Sequence, residues 1–292
     1  MATTEGASAR YADIDEWSTR ELVSGMVESQ FTAIGAVAAA GEGLAKAIDA
    51  IAARLENNGR IIYLGAGTSG RIGAQDGAEL PPTFNWPYER AVTLMAGGPG
   101  ALLKAVENAE DSTTAAAEGL EALGLTAADA VIGLAASGST PYVVAGLEYA
   151  RRRGALTVGL FNSPGGRVGE VAEIGILLDT GPEFLSGSTR MKAGTSQKVA
   201  LNIISTGVMI RLGFVYRGLM VEMQPTNAKL RERSVRMVMA LTGADDAAVR
   251  ATLTEAGGVI KLAVVMLNRK LGRAEAQAAL DAVGGNLRRA LA

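Results

Sequence analysis

Histidine and cysteine are both absent from this 292-residue chain, and together the two absences exclude a good deal of chemistry. Without imidazole or thiol there is no Ser-His-Asp hydrolase, no cysteine nucleophile, no Cys/His zinc site and no phosphohistidine carrier. Acid–base work falls to carboxylates, Lys or Tyr, and structural disulfides are impossible. Long apolar runs are also missing. Residues 130–136 and 259–267, the latter broken by Lys261, are well short of the roughly 20 that a membrane-spanning helix needs, so no membrane span is expected. The polar opening, with Asp13, Asp15 and Glu16, lacks the basic-then-apolar layout of a signal peptide, which predicts a cytoplasmic protein. Basic residues number 28 against 30 acidic ones, a net charge of −2. Their two clusters, at 151–153 and 229–236, read as solvated helix faces, so no nucleic-acid partner is expected.

What is present is a globular composition, 48% hydrophobic and 20% charged, in a chain long enough for one large domain with appendages or for two domains. Residues 33–55 carry apolar side chains at helical spacing and stop at Asn57-Asn58-Gly59, which predicts a helix with its C-cap. Short apolar runs bounded by glycine follow at 60–64, 91–95, 130–135, 156–160 and 174–178. They alternate with helix-forming segments that include 100–109 and 141–153. Strand and helix alternating in this way predict a doubly wound α/β fold with a parallel sheet. A long helix is expected over 191–212. Three short ones, at 245–257, 259–271 and 273–283, suffice for a small bundle. The expected organisation is an N-terminal helical arm (1–50), an α/β domain (51–240) and a C-terminal helical bundle (241–292).

Three loops carry the chemistry. After the first strand, Gly65-Ala66-Gly67-Thr68-Ser69-Gly70-Arg71 matches the G-x-G-x-x-G pattern, yet the acidic ribose anchor of a dinucleotide site is missing where the second strand ends in Met95-Ala96-Gly97-Gly98. What the loop offers is backbone N–H groups, two hydroxyls and an arginine near a helix start, a set suited to a phosphate monoester; the bland alternative is a capped turn. Ser137-Gly138-Ser139-Thr140-Pro141 repeats the arrangement after the third strand. Ser186-Gly187-Ser188-Thr189-Arg190-Met191-Lys192 adds two cations ahead of the long helix. In a parallel sheet the ligand crevice lies beyond the carboxyl ends of the strands, so a phosphorylated small molecule is the expected ligand. Glu79 reads as the end of the segment opened by the first loop and stopped by Pro81-Pro82. Glu107 and Glu110 would share a helix face, and on the residues alone Glu110 is a surface acid.

These strings, Leu64-Gly65-Ala66-Gly67-Thr68-Ser69-Gly70-Arg71, Ala78-Glu79-Leu80-Pro81-Pro82-Thr83, Ala135-Ala136-Ser137-Gly138, residues 186–195 and Thr226-Asn227-Ala228-Lys229-Leu230, resemble the N-acetylmuramic acid 6-phosphate etherases over nearly the whole chain. The resemblance implies a sugar isomerase (SIS) domain, a C-terminal bundle akin to ubiquitin-associated (UBA-like) domains, and a homodimer acting on a phosphosugar without metal or cofactor. It makes Glu79 and Glu110 the catalytic pair. Gly67, Thr68, Ser69, Arg71, Ser137, Ser139, Thr140, Ser188, Thr189, Arg190 and Lys192 become the substrate-binding set. Family members commonly have Cys where Leu80 stands and Arg where Ser139 stands; the second departure leaves Arg71, Arg190 or Lys192 to supply a cation. A helix from Ser69 to Glu79 would separate its ends by roughly 15 Å, which predicts an active site shared between subunits. The alternatives on the same fold are a phosphosugar sensor that has lost catalysis and an aldose–ketose isomerase.

Overall fold

The computed structural model describes residues 3–225 and 227–292; Thr226, at the head of the last string above, lies outside them. The chain divides into two units, Met1–Ala78 with Tyr88–Thr206, and Glu79–Pro87 with Gly207–Ala292.

The first unit opens on short 3-10 turns and then α1 (Thr19–Ala39), whose start is fixed by a capping box in which the Ser18 N–H donates to Glu21 and the Glu21 N–H to the Ser18 hydroxyl. It is followed by α2 (Gly41–Glu56). The single helix expected over 33–55 is therefore two, because Ala40 (φ −84°, ψ 7°) leaves helical geometry between them. One side of α1 is buried through Gly25, Ser29, Ala33, Ala36 and Val37, while Val23, Val27, Phe31 and Ile34 are exposed, Phe31 by 72%. By length and composition α1 is long and apolar enough to cross a bilayer, although no uninterrupted apolar run reaches that length.

From there strand and helix alternate through β1 (Ile61–Gly65), α3 (Gly67–Phe84), β2 (Ala91–Met95), α4 (Ala115–Ala122), β3 (Ala130–Ala135), α5 (Pro141–Arg152), β4 (Leu156–Phe161), α6 (Arg167–Val171), β5 (Ile174–Leu177) and α7 (Lys192–Arg211). The five strands are parallel in the order β2-β1-β3-β4-β5. Side chains alternate between the faces of a strand. Ile62, Leu64 and Val131 thus join Leu120, Val143 and Leu147 of α4 and α5 in one core, while Tyr63 on the opposite face packs against Gly73 and Gly77 of α3. The chain leaves β1 for β2 on one side and reaches β3 on the other, so the order reverses between β1 and β3. A crevice opens at such a point beyond the carboxyl ends of the strands.

At the amino end of the sheet, Asp129 accepts from the Arg60 backbone N–H (2.9 Å), Nε (3.0 Å) and Nη2 (2.7 Å), and from Thr126 N–H (2.8 Å). Burial alone would push this carboxyl up. The hydrogen bonds from Arg60 and Thr126 outweigh that and hold it below the usual carboxylate value. A carboxyl depressed in the folded state contributes stability that is complete above its unfolded pKa of about 3.9 and is lost as pH falls through the folded value. Asp129→Asn should therefore lower the urea midpoint at pH 7 and flatten its decline below about pH 4 relative to the unsubstituted protein.

Two further expectations meet corrections. Residues 100–109 form no helix, only a 3-10 turn at Pro99–Leu102 and another at Ala109–Asp111. Gly97, Gly98 and Asn108 all take positive φ, and the Arg71 side chain occupies the carbonyls of Ala101 (2.9 Å) and Leu102 (3.0 Å). Nor do Pro81 and Pro82 stop α3, which runs through both to Phe84 and places Glu79 inside the helix.

The second unit contains a two-residue hairpin, β6 (Val215–Tyr216) and β7 (Leu219–Met220), turned by Arg217 and Gly218 at φ 48° and 77°. Trp86 and Phe214 meet edge to face at 5.6 Å. Helices α8 (Ala228–Thr242), α9 (Asp246–Glu255), α10 (Ile260–Arg269), α11 (Arg273–Asp281) and α12 (Leu287–Ala290) surround a core that includes Val238, Val249, Val264 and Leu287.

Candidate functional site

Beyond β1 and β3, where the strand order reverses, lies a polar cleft of about 360 Å³. Its floor is built by the first two hydroxyl loops: Ala66, Gly67, Thr68 and Ser69 at the start of α3, and Ala135 to Pro141, Gly138 excepted, at the start of α5. Gly65 and Gly70 make this geometry possible. A Cβ on Gly65 would lie 2.8 Å from the Gly70 backbone, and one on Gly70 would lie 2.8 Å from the Gly65 carbonyl oxygen. In the second loop Gly138, at φ 74°, abuts Gly166, and the Ser137 hydroxyl accepts from Ser139 N–H at 3.2 Å.

The first N–H groups of a helix have no partner within it, and Thr140 makes no side-chain cap for α5. The starts of α3 and α5 both border the cleft, so two positive dipole ends adjoin the same space. The unpaired donors are mainly those of α3, because α5 opens on Pro141, which has no N–H, and its Val143 N–H donates to the Thr140 carbonyl at 3.0 Å. The third loop differs. At the start of α7 the Glu183 carboxylate accepts from the N–H groups of Lys192 and Ala193, both at 2.9 Å, so this helix end is already occupied. Glu183 is 1% exposed and Lys192 only 5%. Burial pulls the Lys192 ammonium down from its ordinary value, partly opposed by the charges of Glu183 and Asp179.

The structure thus brings together Gly67, Thr68, Ser69, Ser137, Ser139, Thr140, Thr189 and Glu110 around one cleft. Ser188, Arg190 and Lys192 are not among its lining residues, and Arg190 is exposed. Arg71 instead lines an adjoining hollow of about 230 Å³, which shares Ala66, Gly67 and Glu110 with the main cleft. Glu79 lines neither cavity; between Gly67 and Glu79, α3 rises about 18 Å. Among the described residues the main cleft is lined by no Lys or Arg, and an anion held there would rest on hydroxyls and backbone N–H groups.

Sequence reasoning missed Glu5, Asp111 and Glu183. Glu5 lines the cleft because the N-terminal segment folds back over the third loop, where the Ser186 hydroxyl faces the carbonyls of Glu5 (3.4 Å) and Gly6 (3.3 Å), and Thr4 contacts the Ser163 hydroxyl at 3.2 Å. No local pattern announces such a contact across 181 residues. Among the described residues no cluster of three or more acidic side chains could hold a metal ion. A separate, mainly apolar cavity of about 420 Å³ in the second unit, between α8 and α9, contains none of the loop residues.

Residues 43–151 match the glucokinase regulatory protein N-terminal SIS domain. The N-acetylmuramic acid 6-phosphate etherase of Deinococcus radiodurans is 48% identical over 99% of this chain and 94% of its own length. That of Lactobacillus acidophilus is 47% identical over 98% and 96%. A solved phosphoheptose isomerase from Francisella tularensis is more distant, with 21% identity and a TM-score of 0.49 over 67% of this chain and 98% of that one.

Proposed function

The chain belongs to the N-acetylmuramic acid 6-phosphate etherase family, and on that premise we propose that it cleaves N-acetylmuramic acid 6-phosphate to N-acetylglucosamine 6-phosphate and D-lactate. The observation that carries this reading is 48% identity along almost the whole of both chains. The cleft supplies a place for the reaction: the open start of α3, the dipole end of α5 and the hydroxyls of both loops for the phosphate, with Glu110 at its edge.

The chemistry needs neither metal nor cofactor, because the substrate provides its own electron sink. Ring opening exposes the C1 aldehyde, which acidifies the C2 proton. A carboxylate removes that proton, the C2 electron pair forms the C2–C3 double bond, and the C3–O bond breaks as an acid protonates the departing lactate oxygen. Water then adds at C3 and a proton returns to C2, so substrate plus water balances sugar phosphate plus lactate. Glu110 is the group assigned to water activation and Glu79 the acid, with the C2 proton passing through this pair. Since Glu79 does not line the cleft of its own chain, the reading includes a homodimer in which a second copy contributes it. The apolar stripe of Val23, Val27, Phe31 and Ile34 on α1 offers a surface for such a copy. The proposed location is the cytoplasm, where a chain without cysteine has no disulfides to lose.

The test is turnover in water enriched in oxygen-18, with both products analysed by mass spectrometry. Elimination and hydration put the heavy oxygen on C3 of the sugar and none in lactate. Label in lactate would overturn the route. Substrate that binds but stays intact would favour a sensor, and a ketose product an isomerase.

A further inference from the structure

The hollow beside the main cleft has a different chemistry. Its wall is apolar through Met95, Ala96, Ala101, Ala105 and Val106, and among the described residues Arg71 is the one cation lining either cavity. Arg71 spends Nε on the Leu102 carbonyl and Nη2 on the Ala101 carbonyl. Its Nη1 has no partner among the described residues. Carboxylates line both cavities, Glu5, Glu110 and Asp111 in the main cleft and Glu107 and Glu110 in the hollow, so what distinguishes the hollow is its cation and its apolar wall. Glu110 lines both cavities.

From this division we propose that the hollow is the lactyl subsite, with Arg71 Nη1 receiving the lactyl carboxylate and the apolar wall its methyl group; the proposal rests on the etherase reading above. A lactyl ether is a methyl and a carboxylate on one carbon, and the hollow offers an apolar wall and a fixed guanidinium side by side. With the phosphate at the two helix starts and the lactyl group beside Arg71, the ether bond lies next to Glu110, the residue common to both cavities. Arg71 is thus a specificity-determining residue that reads the group to be removed, and its two carbonyl contacts keep it aimed.

The test compares the substrate with its own product, N-acetylglucosamine 6-phosphate, which keeps the phosphate and the acetyl group but lacks lactyl. Two variants are needed, since Arg71→Gln also loosens the turn at Pro99–Leu102. Val106→Asp leaves Arg71 in place and sets a negative charge at a half-exposed position in the hollow. Both should raise KM for the substrate roughly 10- to 100-fold, the loss expected of a charge-assisted hydrogen bond. The inhibition constant of the product should change by less than about threefold. Equal weakening of both ligands, as a phosphate or acetyl site would give, overturns the assignment, and so does no change in either. Wild-type protein that leaves the ether intact overturns the etherase reading itself. Wild type that cleaves it, with variants that do not discriminate, overturns only the lactyl subsite.

Discussion

Glu110→Gln should lower kcat for lactate release about 10²- to 10⁴-fold, the range for loss of a positioned general base or acid, while phosphosugar affinity stays within about threefold because the anion contacts come from backbone and hydroxyls. Glu79→Gln should do the same, although Glu79 lies outside the cleft of its own chain. The two variants are most informative together. If each site draws Glu110 from one subunit and Glu79 from the other, a mixed dimer has one site with both substitutions and one with neither. Mixing the two inactive proteins and allowing exchange should then restore up to about a quarter of wild-type activity, since half the dimers are mixed and half their sites intact. Steady-state lactate release before and after mixing measures this. No recovery, with exchange shown by native mass spectrometry, would place both carboxylates in one chain's site.

Gly65→Ala should cost about 2–4 kcal/mol and abolish phosphosugar binding together, because the new Cβ meets only backbone, 2.8 Å from Gly70 N and Cα and 3.1 Å from the Ser69 carbonyl carbon. No side chain there can rotate aside. The start of α3 must move away from the end of β1, and the unpaired N–H groups move with it. Urea denaturation and calorimetric titration with N-acetylglucosamine 6-phosphate measure the two effects. A stable variant that still binds would mean that the anion is not held at the start of α3.

Much of the fold is legible in the sequence. The strands Ala91–Met95 and Ala130–Ala135 are the sequence runs themselves, the first a half-buried edge strand and the second fully buried, since a strand in a covered parallel sheet is a short apolar stretch with punctuation at both ends. The first two hydroxyl loops converge as expected, because parallel strands deliver their carboxyl ends to one edge. What stayed illegible depends on partners distant in the chain. Residues 100–109 have helix-forming composition, but the Arg71 guanidinium takes two of their carbonyls and flanking positive-φ residues turn the backbone aside. Lys192 looks like an anion-binding cation until Glu183, nine residues earlier, is seen to cap its helix and be buried with it. The α1–α2 break at Ala40 is marked only by Gly41, and the apolar spacing that runs on through it conceals the break.

In the proposed reading the phosphate is held at the starts of α3 and α5, while the start of α7 is closed by Glu183. A cleft whose donors are peptide N–H groups and hydroxyls contains no phosphate-binding group that titrates between pH 5 and 9. The pH dependence of phosphate capture then belongs to the ligand, through its own second ionisation near 6, and not to the protein. Fixed dipoles also act only within the last turn or so of a helix, so they confer little long-range attraction. The cleft is selective at contact, and with Glu5, Glu110 and Asp111 at its border and no lining cation among the described residues it does not concentrate unrelated polyanions around an otherwise acidic molecule.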